Sequence, residues 1–125
     1  MRLSGKTAFI TGAARGIGFE FAKAYVREGA RVAIADINIE RAQSAAAEIG
    51  DAAIAVEIDV SNQESIDRAV AFAAEALGGI DILINNAALF SAAPIVEVTR
   101  TDYDRTFQVN VAGTFFTMQA VAKHM

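Results

Sequence analysis

Short apolar runs alternate with longer runs of helical periodicity along most of this chain. Residues 6–10 are apolar and partly β-branched, which predicts a buried strand. Residues 19–28 follow as a helix, with apolar groups recurring at Ile17, Phe21, Ala24 and Tyr25 and Gly29 ending it. Residues 30–35 predict a second strand, closed by Asp36. Asn38 then caps a helix running to about Ile49, stopped by Gly50. Residues 53–58 predict a third strand, closed by Asp59 and Val60. Ser61 and Glu64 have capping-box spacing and open a helix whose apolar face is Ile66, Ala69, Val70, Ala73 and Leu77, with Gly78 and Gly79 as its stop. Residues 80–84 predict a fourth strand. Residues 101–125 predict one long helix capped by Thr101 or Asp102, with Tyr103, Phe107, Val111, Phe115 and Met118 near one stripe. Val109, Phe116, Ala120 and Val121 place apolar groups on its other sides, so one face is expected on the sheet and another on a partner subunit, in a homo-oligomer.

This alternation predicts an α/β fold: a Rossmann-type doubly wound parallel sheet, strand order 3-2-1-4, helices on both faces. Strands apolar without strict alternation suit a sheet covered on both sides. The ligand crevice is then expected outside the carboxyl ends of the strands, where the order reverses between strands 1 and 4. Four strand ends deliver small or polar residues there: the glycine turn, Asp36, Asp59, and Asn85 with Asn86.

The glycine turn is residues 11–18, Thr-Gly-Ala-Ala-Arg-Gly-Ile-Gly. Between a strand and a helix, Gly12, Gly16 and Gly18 suit a tight turn, a close backbone approach to a pyrophosphate and close helix packing, with Ile17 between the last two. An ordinary loop with two packing glycines is the plainer alternative. Asp36 can accept hydrogen bonds from an adenosine ribose and would repel a 2′-phosphate; it could also merely cap the next helix. Arg15 could hold a pyrophosphate or a 2′-phosphate, and Ile37 is where a basic residue would favour NADP. Asp36 is expected to dominate, which predicts NAD. Asp59 could approach an adenine amino group with Val60 on the ring, or serve as a turn residue. Asn85 and Asn86 suit tying strand ends together so that the Ala87 and Ala88 backbone can approach a nucleoside. Asn110 stands mid-helix, where asparagine is a poor former that bonds to backbone and distorts the helix. Tyr25 and Tyr103 have no lysine at helical spacing on their C-terminal side, so helix packing is expected of both.

Composition excludes more than it adds. The chain has 125 residues, room for one small domain. A net charge of −4 without a basic cluster argues against a nucleic-acid partner. The absence of cysteine and a single terminal histidine, His124, leave no metal cluster to expect. No secretory signal or membrane-length apolar run is visible, so a cytoplasmic protein with no membrane partner is expected.

Taken together, these residues resemble the short-chain dehydrogenase/reductase family. Residues 11–18 match its T-G-x-x-x-G-x-G cofactor motif, Asp59-Val60 its adenine-contacting pair, and Asn85-Asn86-Ala87 its N-N-A-G motif with Ala88 in place of the glycine. Asn110 falls at the family's helix asparagine, part of a catalytic tetrad with serine, tyrosine and lysine, whose backbone holds a water in a proton relay. Within the family, residues 30–38, 85–90 and 94–100 look like bacterial NAD-dependent sorbitol and related polyol dehydrogenases. The resemblance implies oxidation of a secondary alcohol of a polyol to a ketone. It also implies a chain about twice as long. Residues 1–125 are thus read as the N-terminal dinucleotide-binding portion of one such domain, expected to be inactive without the serine and the Tyr-x-x-x-Lys pair. A chain stopping on the helix after strand 4 leaves an open sheet edge and apolar helix surface. The alternative is a non-catalytic nucleotide-binding or self-associating half-Rossmann module.

Overall fold

In a computed structural model describing all 125 residues, the chain forms four parallel strands. They are β1 (Thr7–Thr11), β2 (Arg31–Asp36), β3 (Ala53–Glu57) and β4 (Ile82–Ile84), in the order β3-β2-β1-β4. The helices are α1 (Gly16–Arg27), α2 (Ile39–Ile49), α3 (Gln63–Leu77), α4 (Arg100–Phe107) and α5 (Thr114–Ala122); a π-helical segment, Gln108–Gly113, joins the last two. The predicted α/β sheet and its strand order are therefore those of the molecule.

Successive strand residues point to opposite faces, and here both faces are covered. Ala8, Ile10, Val32 and Ile34 pack with Ala22 of α1 and Ala42, Ala45 and Ala46 of α2. Phe9, Ala33, Ala35 and Val56 pack on the other side with Ile66, Ala69, Val70, Ala73 and Leu77 of α3 and with Ala120 and Val121 of α5. The apolar face expected for α3 is thus the one buried.

Several local expectations are corrected. α1 does not turn Ile17 and Phe21 inward; they are 70% and 40% exposed, and the helix rests on Gly18 and Ala22. Small residues win because they let α1 lie close to β1. α3 is capped by Asn62, whose Oδ1 accepts from the Ser65 N–H, while Ser61 turns its hydroxyl to Asp59. β4 starts at Ile82 because Asp81 is engaged elsewhere: its Oδ2 accepts from the Thr7 N–H at 2.9 Å, and the Thr7 hydroxyl donates to Gly79 O at 2.8 Å. The long C-terminal helix is neither capped by Thr101 or Asp102 nor continuous. Thr99 caps it at the Asp102 N–H, and the π segment interrupts it. Tyr25 packs against the core, but Tyr103 is 49% exposed and stacks on Phe107, ring centroids 4.5 Å apart.

β4 is an outer strand with Ile82, Leu83 and Ile84 half-buried. At the opposite end of the sheet from the strand carboxyl ends, the Arg31 guanidinium donates to Ala76 O and Leu77 O, closing the last turn of α3. No helix is long and apolar enough to cross a membrane.

Candidate cofactor site

The carboxyl ends of the strands converge on one cavity of about 710 Å³, within the range of small-molecule and cofactor sites, about 300–1,000 Å³. It is built outward from β1. Gly12 and Gly16 have φ of +64° and +62°, a left-handed backbone that glycine adopts without strain. No side chain caps α1, whereas Asn38, Asn62 and Thr99 cap α2, α3 and α4. The first N–H groups of α1 thus stay free of side-chain partners beside a turn whose Gly16 faces open space. A pyrophosphate fits such a cradle, because backbone donors and the helix dipole both favour an anion there.

Asn86 locks the turn to β4. Its Nδ2 donates to Gly12 O at 3.1 Å, and the buried Thr11 hydroxyl accepts from the N–H groups of Asn86 and Ala87 at 3.0 and 2.9 Å. Asn85 donates to Thr114 O at 3.3 Å, tying the strand end to α5. Both asparagines thus tie the end of β4 to its neighbours.

The Asp36 carboxylate is fixed at the end of β2. Oδ2 accepts from the Ala14 N–H at 3.2 Å and Oδ1 from the Asn38 N–H at 3.0 Å. A carboxylate accepts about four hydrogen bonds, so capacity remains for two ligand hydroxyls. At the end of β3, Asp59 Oδ1 accepts from the Ser61 N–H and hydroxyl at 2.9 and 2.6 Å, which orders the loop that carries Val60.

Of the residues singled out from the sequence, Gly12, Arg15, Gly16, Asp36, Ile37, Asp59, Val60, Asn86, Ala87 and Ala88 line this one cavity. Ile17 and Gly18 do not. Ile17 faces outward, and Gly18 lies beneath the turn, where a Cβ would stand 2.5 Å from both Gly12 O and Asn86 Nδ2. Asn110 is not in the wall either. It sits in the π segment, and its carboxamide clasps one backbone unit of the loop after β4: Oδ1 accepts from the Leu89 N–H at 2.7 Å and Nδ2 donates to Leu89 O at 2.8 Å. Its own carbonyl accepts from the Thr114 hydroxyl at 3.1 Å. The cavity also takes in Arg41, Ser61, Leu89, Arg105 and Val109, which sequence reasoning missed. Arg41 had a legible signal, lying three residues past the cap of a helix that starts at the crevice. Arg105 and Val109 had none, since only the path of the last helix brings them there.

The model for "short chain dehydrogenase" matches residues 6–125. The chain belongs to the short-chain dehydrogenase family. Among its relatives, a sorbitol dehydrogenase of Cereibacter sphaeroides is 67% identical over the whole chain, and a galactitol 2-dehydrogenase of Agrobacterium fabrum is 54% identical. The chain spans about half the length of these curated relatives, 49% of each. A crystal structure of a 3-ketoacyl-(acyl-carrier-protein) reductase from Brucella melitensis complexed with NADH superposes with a TM-score of 0.94 at 39% identity, covering 98% of this chain and 50% of that one. Family membership and the cavity's chemistry together support a nicotinamide cofactor.

Proposed function

We propose that this chain is the cofactor-holding part of an NAD-dependent, cytoplasmic polyol dehydrogenase, which oxidises a secondary alcohol of a sugar alcohol such as sorbitol to a ketone. The observation that carries this reading is the meeting of the glycine turn and the anchored Asp36 carboxylate in one cavity. The names of the sorbitol and galactitol dehydrogenases support the polyol class. When bound, the nicotinamide supplies hydride exchange with the substrate carbon. The residues of this chain bind and orient. The turn and the free first N–H groups of α1 would hold the pyrophosphate, with Arg15 beside it. Asp36 would accept the ribose hydroxyls and repel a 2′-phosphate, and Ile37, Asp59, Val60, Ala87 and Ala88 would border the adenosine. Asn110 positions the loop at Leu89 and is the one member of the family's tetrad that the sequence contains. Four residues after Tyr25 and Tyr103 stand Gly29 and Phe107, so no tyrosine here has the lysine that would tune it as an acid or base. The chain by itself is expected to bind NADH saturably, as read by nucleotide fluorescence, and to show no turnover with NAD and sorbitol. Absence of saturable binding would sink the reading; measurable turnover would sink the inactivity.

A second reading, self-association, has an observation of its own. Phe107, Val111, Phe115, Phe116 and Met118 are each between 39% and 55% exposed along α4, the π segment and α5. Spacings of three and four residues make a seam fit for another helix, and an isologous contact with a second copy would bury it on both sides. Sedimentation is expected to give at least a dimer for this chain and a smaller species for Phe115→Asp. A monomer in both cases counts against this surface.

A further inference from the structure

Two contacts join the C-terminal helix to the loop that carries Val60. Gln108 Nε2 donates to Ser61 O at 3.1 Å. Gly113 sits against Val60 so closely that a Cβ there would lie 2.8 Å from Val60 Cγ2 and 2.9 Å from Val60 O. Gln108 and Gly113 are the first and last residues of the π segment. In a regular α-helix, residues five apart point about 140° away from one another. The i→i+5 pattern of a π turn brings them onto one face. The same segment carries Asn110, which clasps Leu89. One distorted stretch of helix therefore grips the exit loops of both β3 and β4, and Val60, Ser61 and Leu89 all line the cavity.

From this we infer that Gln108 and Gly113 are positioning residues for the adenosine half of the cofactor. They set where the Asp59–Ser61 wall stands without entering the cavity themselves. This rests on the reading of the cavity as a dinucleotide site. Gln108 is exposed, so its replacement is compatible with folding, and a single hydrogen bond to the wall sets a modest effect.

The test is adenosine and inorganic pyrophosphate binding to the 125-residue chain, by calorimetry or NMR titration. Gln108→Ala is expected to weaken adenosine roughly three- to tenfold. Pyrophosphate affinity and measured mass should stay unchanged, and the melting temperature should fall by a few degrees at most, as for the loss of one exposed hydrogen bond. Gln108→Glu keeps the shape but sets an acceptor against Ser61 O. Because adenosine is uncharged, this variant is expected to bind it no better than Gln108→Ala. Unchanged adenosine affinity in Gln108→Ala overturns the inference, as does a Gln108→Glu variant equal to the unmutated chain. Equal loss of both probes together with a larger fall in melting temperature also overturns it, because the role is then general stability. If the unmutated chain binds neither probe, the dinucleotide reading fails first and takes the inference with it.

Discussion

Gly18→Ala is expected to lower the melting temperature by roughly 10–20 °C and to abolish NADH binding, as read by thermal denaturation and nucleotide fluorescence. The added methyl would stand 2.5 Å from both Gly12 O and Asn86 Nδ2, and 2.9 Å from Ala13 Cα. Two of these three neighbours are backbone, and the third donates the hydrogen bond that ties the turn to the end of β4. Relief therefore requires α1 to move off the sheet or the Asn86 bond to break. Overpacking costs about 1–3 kcal/mol, and the lost bond adds about 1 kcal/mol. Gly16→Ala is the informative contrast. Its φ of +62° makes alanine strained by about 1–2 kcal/mol, but a Cβ there meets nothing within 4 Å. It should spare more of the fold and act on binding, because the methyl stands in the cavity. A Gly18→Ala chain that melts within about 2 °C of the original and binds NADH normally would show that the close approach of α1 is not needed.

The second large effect is at Asp36. Asp36→Ala is expected to weaken NADH binding roughly tenfold to a hundredfold, since hydrogen bonds to a charged acceptor are worth about 1.5–3 kcal/mol and each 1.4 kcal/mol is about tenfold. Together with Ile37→Arg it should raise NADPH affinity above NADH affinity, by removing a negative charge from the place of a 2′-phosphate and supplying a positive one. Asp36 also accepts from the Ala14 N–H, so the alanine variant loses some anchoring of the turn. Asp36→Asn separates the two effects. With its amide oxygen toward Ala14 it keeps that bond, while it loses the charge and the bond from the Asn38 N–H, which then faces an amide donor; NADPH affinity should still rise. Equal binding of NADH and NADPH by the unmutated chain would show that Asp36 does not select the cofactor. Arg15, Arg41 and Arg105, all in the wall and none in an ion pair, are the groups that would then be available to hold the phosphate.

Both predictions depend on residues whose types and spacing are legible in the sequence. Gly18 and Asp36 advertise themselves because a tight strand–turn–helix connection needs glycine and a strand end needs a polar stop. Gln108 does not. Glutamine is an ordinary helix former, and its tie to Ser61 spans 47 residues of sequence, so no local pattern could reveal it. Asn110 lies between these cases. A poor helix former in mid-helix announces some hydrogen bond to backbone, but the partner, Leu89, is 21 residues away.

The sequence by itself determined the alternation of strands and helices through β4, the parallel sheet in the order 3-2-1-4 and the set of residues at the strand ends. Periodicity, glycine stops and the handedness of crossovers are local or topological rules, and they leave few alternatives for a chain of this kind. Only the tertiary structure decided how closely elements approach and which faces win. It put Gly18 and Ala22 rather than Ile17 and Phe21 beneath α1, because packing against β1 rewards small side chains there. It placed a π segment in the C-terminal helix whose residues reach two loops, Asn110 the one at Leu89 and Gln108 and Gly113 the one at Val60 and Ser61. Which loops such contacts reach carries no signature within any one window of sequence.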